Sequence, residues 1–188
     1  MLLTHGAVGR RLRRRRVGFT LIELLVVVAI IGIVTTILIP NLLDSLQKSK
    51  QKRTVADMRE VGIAWLSWLT DQVSAASAGN PQKFDFDGSF STSLTAAKLL
   101  DDFYVDEDMF YARQVPDKDG WGHDFDYWWS GNPLVTPVLG IRSRGRDGQV
   151  GPSANPYTLG PFVATNYDED IVWSDGLFVR FPSGVVSQ

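Results

Sequence analysis

The chain of 188 residues contains no cysteine. No disulfide can staple its fold, and no thiolate can serve as a nucleophile or a metal ligand. Histidine is almost as scarce. Of two, His5 lies among the first 18 residues and only His123 lies beyond them, so no second imidazole is at hand for a metal site. His123 is expected to be a satisfied surface residue. The glycine-rich run Gly145–Gly151 lacks the Lys-Ser/Thr of a phosphate loop. Asp117-x-Asp119-Gly120 opens like a calcium-binding helix–loop–helix, but Trp128 stands where that loop needs its last acidic ligand. No serine or threonine sits in a nucleophile elbow or a triad context, and there is no internal repeat or low-complexity tract. The chain is not expected to be an enzyme.

Acidic residues are also missing from the first 18 positions, which carry Arg10, Arg11, Arg13, Arg14, Arg15 and Arg16. The formal net charge of −2 hides this asymmetry. Removing those six from the 19 basic residues leaves 13 against 21 acidic ones, a net −8 for residues 19–188. A body of that sign has no field to attract nucleic acid, so no nucleic-acid partner is expected.

A basic stretch followed by an apolar run is a membrane-targeting pattern. From Phe19 to Ile39 the chain reads FTLIELLVVVAIIGIVTTILI, 21 residues with one charge. As a helix that run is about 30 Å long, enough to cross the hydrocarbon core once. The arginines ahead of it favour the cytoplasmic side and place residues 41–188 across the membrane. An ordinary cleaved signal would have a shorter apolar core ending in small residues. This run ends in Ile39-Pro40-Asn41 instead.

Glu23 is the informative residue. A carboxylate in a membrane helix costs about 2.5–3.5 kcal/mol at the bilayer centre and less near an end. Either it is tolerated near the interface, or it meets a cation inside an assembly. A free amine at residue 19, four residues earlier and one helical turn away, would be such a cation. It would require a cut between Gly18 and Phe19. Further along, Pro40 cannot donate the helical hydrogen bond to the Thr36 carbonyl, and Gly32 weakens the helix by about 1 kcal/mol relative to alanine. The Gly32–Pro40 span is therefore the easiest part of the helix to bend or melt.

Gly18-Phe19-Thr20-Leu21-Ile22-Glu23 resembles the processing motif of type IV pilins and pseudopilins: a basic leader, glycine, phenylalanine, then glutamate four residues on. The likeness continues through Gly32 and Pro40. It implies removal of residues 1–18 by a prepilin peptidase, which also methylates the new amine of Phe19. It further implies that residues 19–40 stay as a membrane anchor and then form the packed core of a fibre.

Beyond Pro40 the helical period continues and becomes amphipathic. Leu42, Leu43, Leu46, Met58, Val61, Trp65, Leu69 and Val73 recur mainly at three- and four-residue steps, widened by Leu66 and Trp68, with Lys48, Lys50, Lys52 and Arg53 between them. The spacing predicts one helix from about Phe19 to about Ser77, stopped near Gly79 and Pro81. A short helix is predicted near Leu94–Phe103. Strand-like runs follow at Phe125–Ser130, Thr136–Ser143 and Ile171–Phe181, the last broken by a turn at Ser174-Asp175-Gly176. The expected fold is α+β: a long N-terminal helix, transmembrane in its first half, whose second half packs on a small antiparallel sheet of three or four strands within a globular domain of residues 41–188.

The second half of the chain resembles one branch of that family, the major pseudopilins of type II secretion. Val115-Pro116-Asp117, Asp119-Gly120-Trp121-Gly122-His123 and Tyr127 are similar to their Pro-x-Asp…Trp-Gly segment, with His123-Asp124 in place of the usual Asn-Pro. Ser143-Arg144-Gly145-Arg146-Asp147-Gly148 resembles their Ser-x-Gly-Ala-Asp-Gly loop. Asp168-Glu169-Asp170-Ile171, with Trp173, resembles their Asp-Asp-Ile ending. In that branch the last two segments together bind calcium, which takes oxygen ligands from flexible loops. Carried over by position, Asp147, Glu169 and Asp170 supply carboxylates and Arg144 its carbonyl, with Asp168 as a spare candidate. The chain departs from the pattern in a long insertion at 149–167 and in glutamate for one of the paired aspartates.

The resemblance implies a structural subunit of a periplasmic pseudopilus, anchored once in the bacterial inner membrane. Its partners would be the prepilin peptidase, identical subunits, minor pseudopilins and the inner-membrane assembly platform. A pilin or minor pilin of a surface filament is the alternative. The surplus of aromatic residues gives weak support to a membrane-anchored enzyme or sugar-binding module.

Overall fold

The computed structural model describes residues 18–79, 91–104, 110–130, 138–151 and 159–185. The leader arginines, Pro81, Thr136 and the middle of the 149–167 segment lie outside the described residues. The chain divides into two compact units between Asn41 and Leu42.

The first unit is the start of helix α1 (Leu21–Ser77), the helix that the period predicts. Every side chain from Gly18 to Asn41 is exposed. Among the described residues it contains one stretch long and apolar enough to cross a membrane. Its few polar side chains bond to their own backbone. Thr35 Oγ1 donates to the Ile31 carbonyl at 2.6 Å and Thr36 Oγ1 to that of Gly32 at 2.9 Å. Such back-bonding hides a hydroxyl where no water is at hand. The helix runs unbroken through Pro40.

In the second unit the rest of α1 presents one face to a core. Gln51, Thr54, Val55, Met58, Val61, Trp65, Trp68 and Leu69 are buried, at steps of one, three and four residues, and Trp65 is completely enclosed. Leu42, Leu43 and Leu46, expected on the same apolar face, are instead at least half exposed. Among the described residues, the first α1 side chain in the apolar core is Val55.

The sheet has six strands: β1 (Ser91–Leu94), β2 (Asp126–Ser130), β3 (Val138–Ser143), β4 (Gly160–Phe162), β5 (Ile171–Ser174) and β6 (Leu177–Pro182), in the order β1-β2-β3-β5-β6-β4. This corrects the expected antiparallel sheet of three or four strands: it is mixed, because β4 runs parallel to β6. Two chain reversals separate them, so they run the same way. Helix α2 (Ala96–Phe103) follows β1 and is capped by Thr95, whose Oγ1 accepts the Lys98 N–H at 3.2 Å.

Alternate residues of β2, β3 and β5 turn to the helix side of the sheet. Tyr127, Leu139, Ile141, Ser143, Ile171 and Trp173 are buried, and the apolar ones join the α1 face in a single core. Gly62 lets α1 approach the sheet: a Cβ there would lie 2.5 Å from the Trp173 ring. On the opposite face Asp126, Arg142, Val172 and Arg180 stand in register across four strands.

Candidate functional site

Two regions carry the residues that the sequence singles out, one in each unit. In the first, Gly18 and Phe19 precede α1 and are exposed, Phe19 by 74 %. Thr20 is the N-cap of α1 and Glu23 folds back on it. The Thr20 N–H donates to Glu23 Oε2 at 2.8 Å, the Thr20 hydroxyl donates to the same oxygen at 2.6 Å, and the Glu23 N–H returns to Thr20 Oγ1 at 3.3 Å. This is a capping box, a reciprocal closure of helix-end donors favoured by threonine followed three residues later by glutamate. In the uncut chain the nitrogen of Phe19 is an amide, and Thr20 occupies the carboxylate. Gly32 and Pro40 lie within regular helix.

In the second unit the turn after β3 and the loop before β5 come together. Asp147, Asp168 and Glu169 line a cavity of about 280 Å³ with Val150, Gly151 and Asn166. Two of these carboxylates are held by arginines. Arg146 donates Nε and Nη2 to Asp168 at 2.8 and 2.7 Å, which holds the Asp168 carboxyl below its usual range. Arg180 Nη2 donates to Glu169 Oε2 at 2.6 Å. Asp147 is exposed, and among the described residues it accepts the Gln149 N–H alone, at 2.9 Å.

Asp170 is 5 % exposed. Its Oδ2 accepts the Gly151 N–H at 3.1 Å, and its Oδ1 is buried without a hydrogen-bond partner. Burial pushes this carboxyl up. The nearby charges of Asp147 and Asp126 add to that, against the Gly151 N–H and the charge of Arg142. The Arg144 side chain donates to Asp126 at 2.6 and 3.0 Å. Among the described residues no three acidic or histidine side chains converge as a metal cage. The donor set still fits calcium. It is all oxygen, and the buried Oδ1 of Asp170 is an acceptor without a donor, within electrostatic reach of the exposed Asp147.

The prokaryotic N-terminal methylation motif matches residues 13–39. The type II secretion system core protein G of Aeromonas hydrophila is 41 % identical over 139 residues, 74 % of this chain and 89 % of its own length. That of Vibrio cholerae is 29 % identical over 142 residues, covering 76 % and 90 %. A fimbrial protein of Pseudomonas aeruginosa is 36 % identical, but over 76 residues, 40 % of this chain and 49 % of its own. No solved structure matches significantly. The chain belongs to the type II secretion system core protein G family.

Within this pseudopilin, the Trp-Gly segment has a role that sequence alone did not reveal. Asp119 is buried at its centre. Its Oδ1 accepts the N–H groups of Trp121 and His123 at 2.9 and 3.0 Å, and its Oδ2 accepts the Ser143 hydroxyl at 2.7 Å. His123, expected at the surface, is about one-third exposed, with Nδ1 at 2.8 Å from the Gly145 carbonyl. Around this hub the loops grip α1. The Gly120 N–H donates to Thr54 Oγ1 at 2.9 Å, Trp121 Nε1 to Gln47 Oε1 at 2.7 Å, and the Tyr167 hydroxyl to Asp44 Oδ1 at 2.6 Å. The signal was the Asp-Gly-x-Gly run. A short acid just before a glycine often closes a turn onto its own backbone.

Proposed function

We propose that this pseudopilin is cut after Gly18 by a prepilin peptidase, methylated at Phe19, and assembled with identical subunits into a periplasmic fibre that drives protein secretion. The observation that carries the proposal is the apolar first part of α1, exposed on all sides and holding one carboxylate at its start. A surface like that has no stable place in water, and a transmembrane helix bundle or fibre core supplies the missing neighbours. Once the peptide is cut, the new amine lies one turn from Glu23 and offers a charge where the capping box offers only dipoles. The leader arginines favour a cytoplasmic N-terminus, leaving the globular unit in the periplasm. Minor pseudopilins and the inner-membrane assembly platform are the further partners of this reading. A surface pilin is the second reading. The likeness to the fimbrial protein supports it only over 40 % of the chain.

Calcium belongs to the same proposal. Asp147 and Asp170 would hold it with loop carbonyls, and Glu169 would join if released from Arg180. The ion would cancel charge between acids that otherwise repel.

Mass spectrometry of the membrane-bound protein tests maturation, with a first residue of N-methylated Phe19 expected. Finding Met1–Gly18 still attached overturns the assignment. For calcium, the melting temperature should rise in millimolar calcium relative to chelator, and by less in magnesium, which demands tighter octahedral geometry.

A further inference from the structure

The acidic loop contains its own cations. Asp147, Asp168 and Glu169 line the cavity after β3, and a fourth carboxylate, Asp170, stands behind its wall, accepting the N–H of the lining residue Gly151. Arg146 clamps Asp168 through two bonds, and Arg180 holds Glu169 at 2.6 Å. Neither arginine is loosely placed. The Arg146 N–H donates to the Tyr167 carbonyl at 2.7 Å, within the loop whose acid it clamps. Arg180 sits on β6 with its guanidinium 5.1 Å from the Phe162 ring centre on β4, and is 13 % exposed. The two positive charges cancel two of the four negative ones. Asp147 and Asp170 are left over, and one of their oxygens is buried with no partner.

We infer that Arg146 and Arg180 are internal counter-ions that order the acidic loop without metal and keep Asp168 and Glu169 from the ion, so that calcium is offered two carboxylates instead of four. The inference rests on the calcium reading of this loop and adds its regulation. A guanidinium tied to a carboxylate at this distance must be displaced before that carboxylate can ligate. Calcium affinity follows the number of charged ligands. The guanidinium groups therefore lower calcium affinity, and the loop's order responds weakly to calcium.

The test uses the full chain in detergent micelles, with calcium chloride as the probe. Calorimetric titration and melting temperature are compared for wild type, Arg180→Met and Arg146→Met. Methionine keeps the apolar stem and removes the charge. Each variant should melt lower than wild type in chelator, recover in calcium, and bind calcium about tenfold more tightly. Arg146 is half exposed, so Arg146→Met remains informative should Arg180→Met not fold. If wild type binds calcium and the variants bind no tighter and melt alike in chelator, the inference is overturned and the calcium reading stands. If wild type binds none while a variant binds it, the inference stands and resident calcium does not. No binding in any of the three overturns both.

Discussion

One helix, α1, meets two opposite conditions. From Leu21 to Asn41 every side chain is exposed. From Gln51 to Leu69 every turn places a side chain in the core. The first part needs no tertiary contact to stay helical, since lipid leaves its backbone no partner but itself. The second holds its position through packing, helped by loop bonds at Asp44, Gln47 and Thr54. Assembly and folding should therefore respond to different substitutions in the same helix.

The sharpest test of that separation is Glu23→Ala. In lipid an unpaired carboxylate is a burden, so its loss should leave insertion and cleavage intact. Fibre growth should vanish, with the melting of the globular unit unchanged. Normal fibres in this variant, seen by shearing and electron microscopy, would show that no charge pair is needed. The mirror experiment is Trp65→Ala. Emptying a fully buried indole site should cost about 3–5 kcal/mol in denaturant unfolding, while the protein still resists alkaline extraction from membranes.

A third test separates polar from apolar support within the second unit. Burial pushes the Asp126 carboxyl up, but bonds from Arg144 and Arg142 outweigh that and hold it below its usual range. A carboxyl lowered on folding stabilises above the unfolded value, about 3.9, and loses that contribution as pH falls through the folded value. Asp126→Asn should therefore lower the melting temperature at pH 7 and by less at pH 3. An equal loss at both would assign the effect to shape rather than charge. The smallest effect is expected from Thr20→Val, which opens the capping box for about 1 kcal/mol of local helix stability. Faster amide exchange should appear at Leu21–Glu23, with none at Met58 or Trp65.

What could be read beforehand follows the same division. The long helix, α2, and strands β2, β3, β5 and β6 with the turn at Asp175-Gly176 were legible because each has its own period or stop signal. Strand β4 was not. Its three residues include Gly160 and Pro161, which read as a turn, and only pairing with β6 makes them a strand. Strand β1 likewise lacks an alternating pattern in Ser91–Leu94. In the site, Glu23 stood out as a lone charge in an apolar run. The acids of the loop were visible by position, but their partners Arg146 and Arg180 are distant in sequence, and no local pattern pairs them. Asp119 was weighed as a metal ligand and set aside; its place at the centre of a buried hub depends on Ser143, 24 residues on.

Strand β4 has a further consequence for contact between one copy of the chain and another. It forms one border of the sheet. The Phe162 carbonyl accepts from Ser183 beyond the end of β6, so by alternation the backbone groups of Gly160 and Phe162 turn inward and those of Pro161 turn outward. Proline has no N–H to offer. A neighbouring copy sliding alongside meets a border with an acceptor at its middle residue and no donor there, a poor template for further strands. Growth by sheet fusion, which ends in amyloid, is discouraged at this margin.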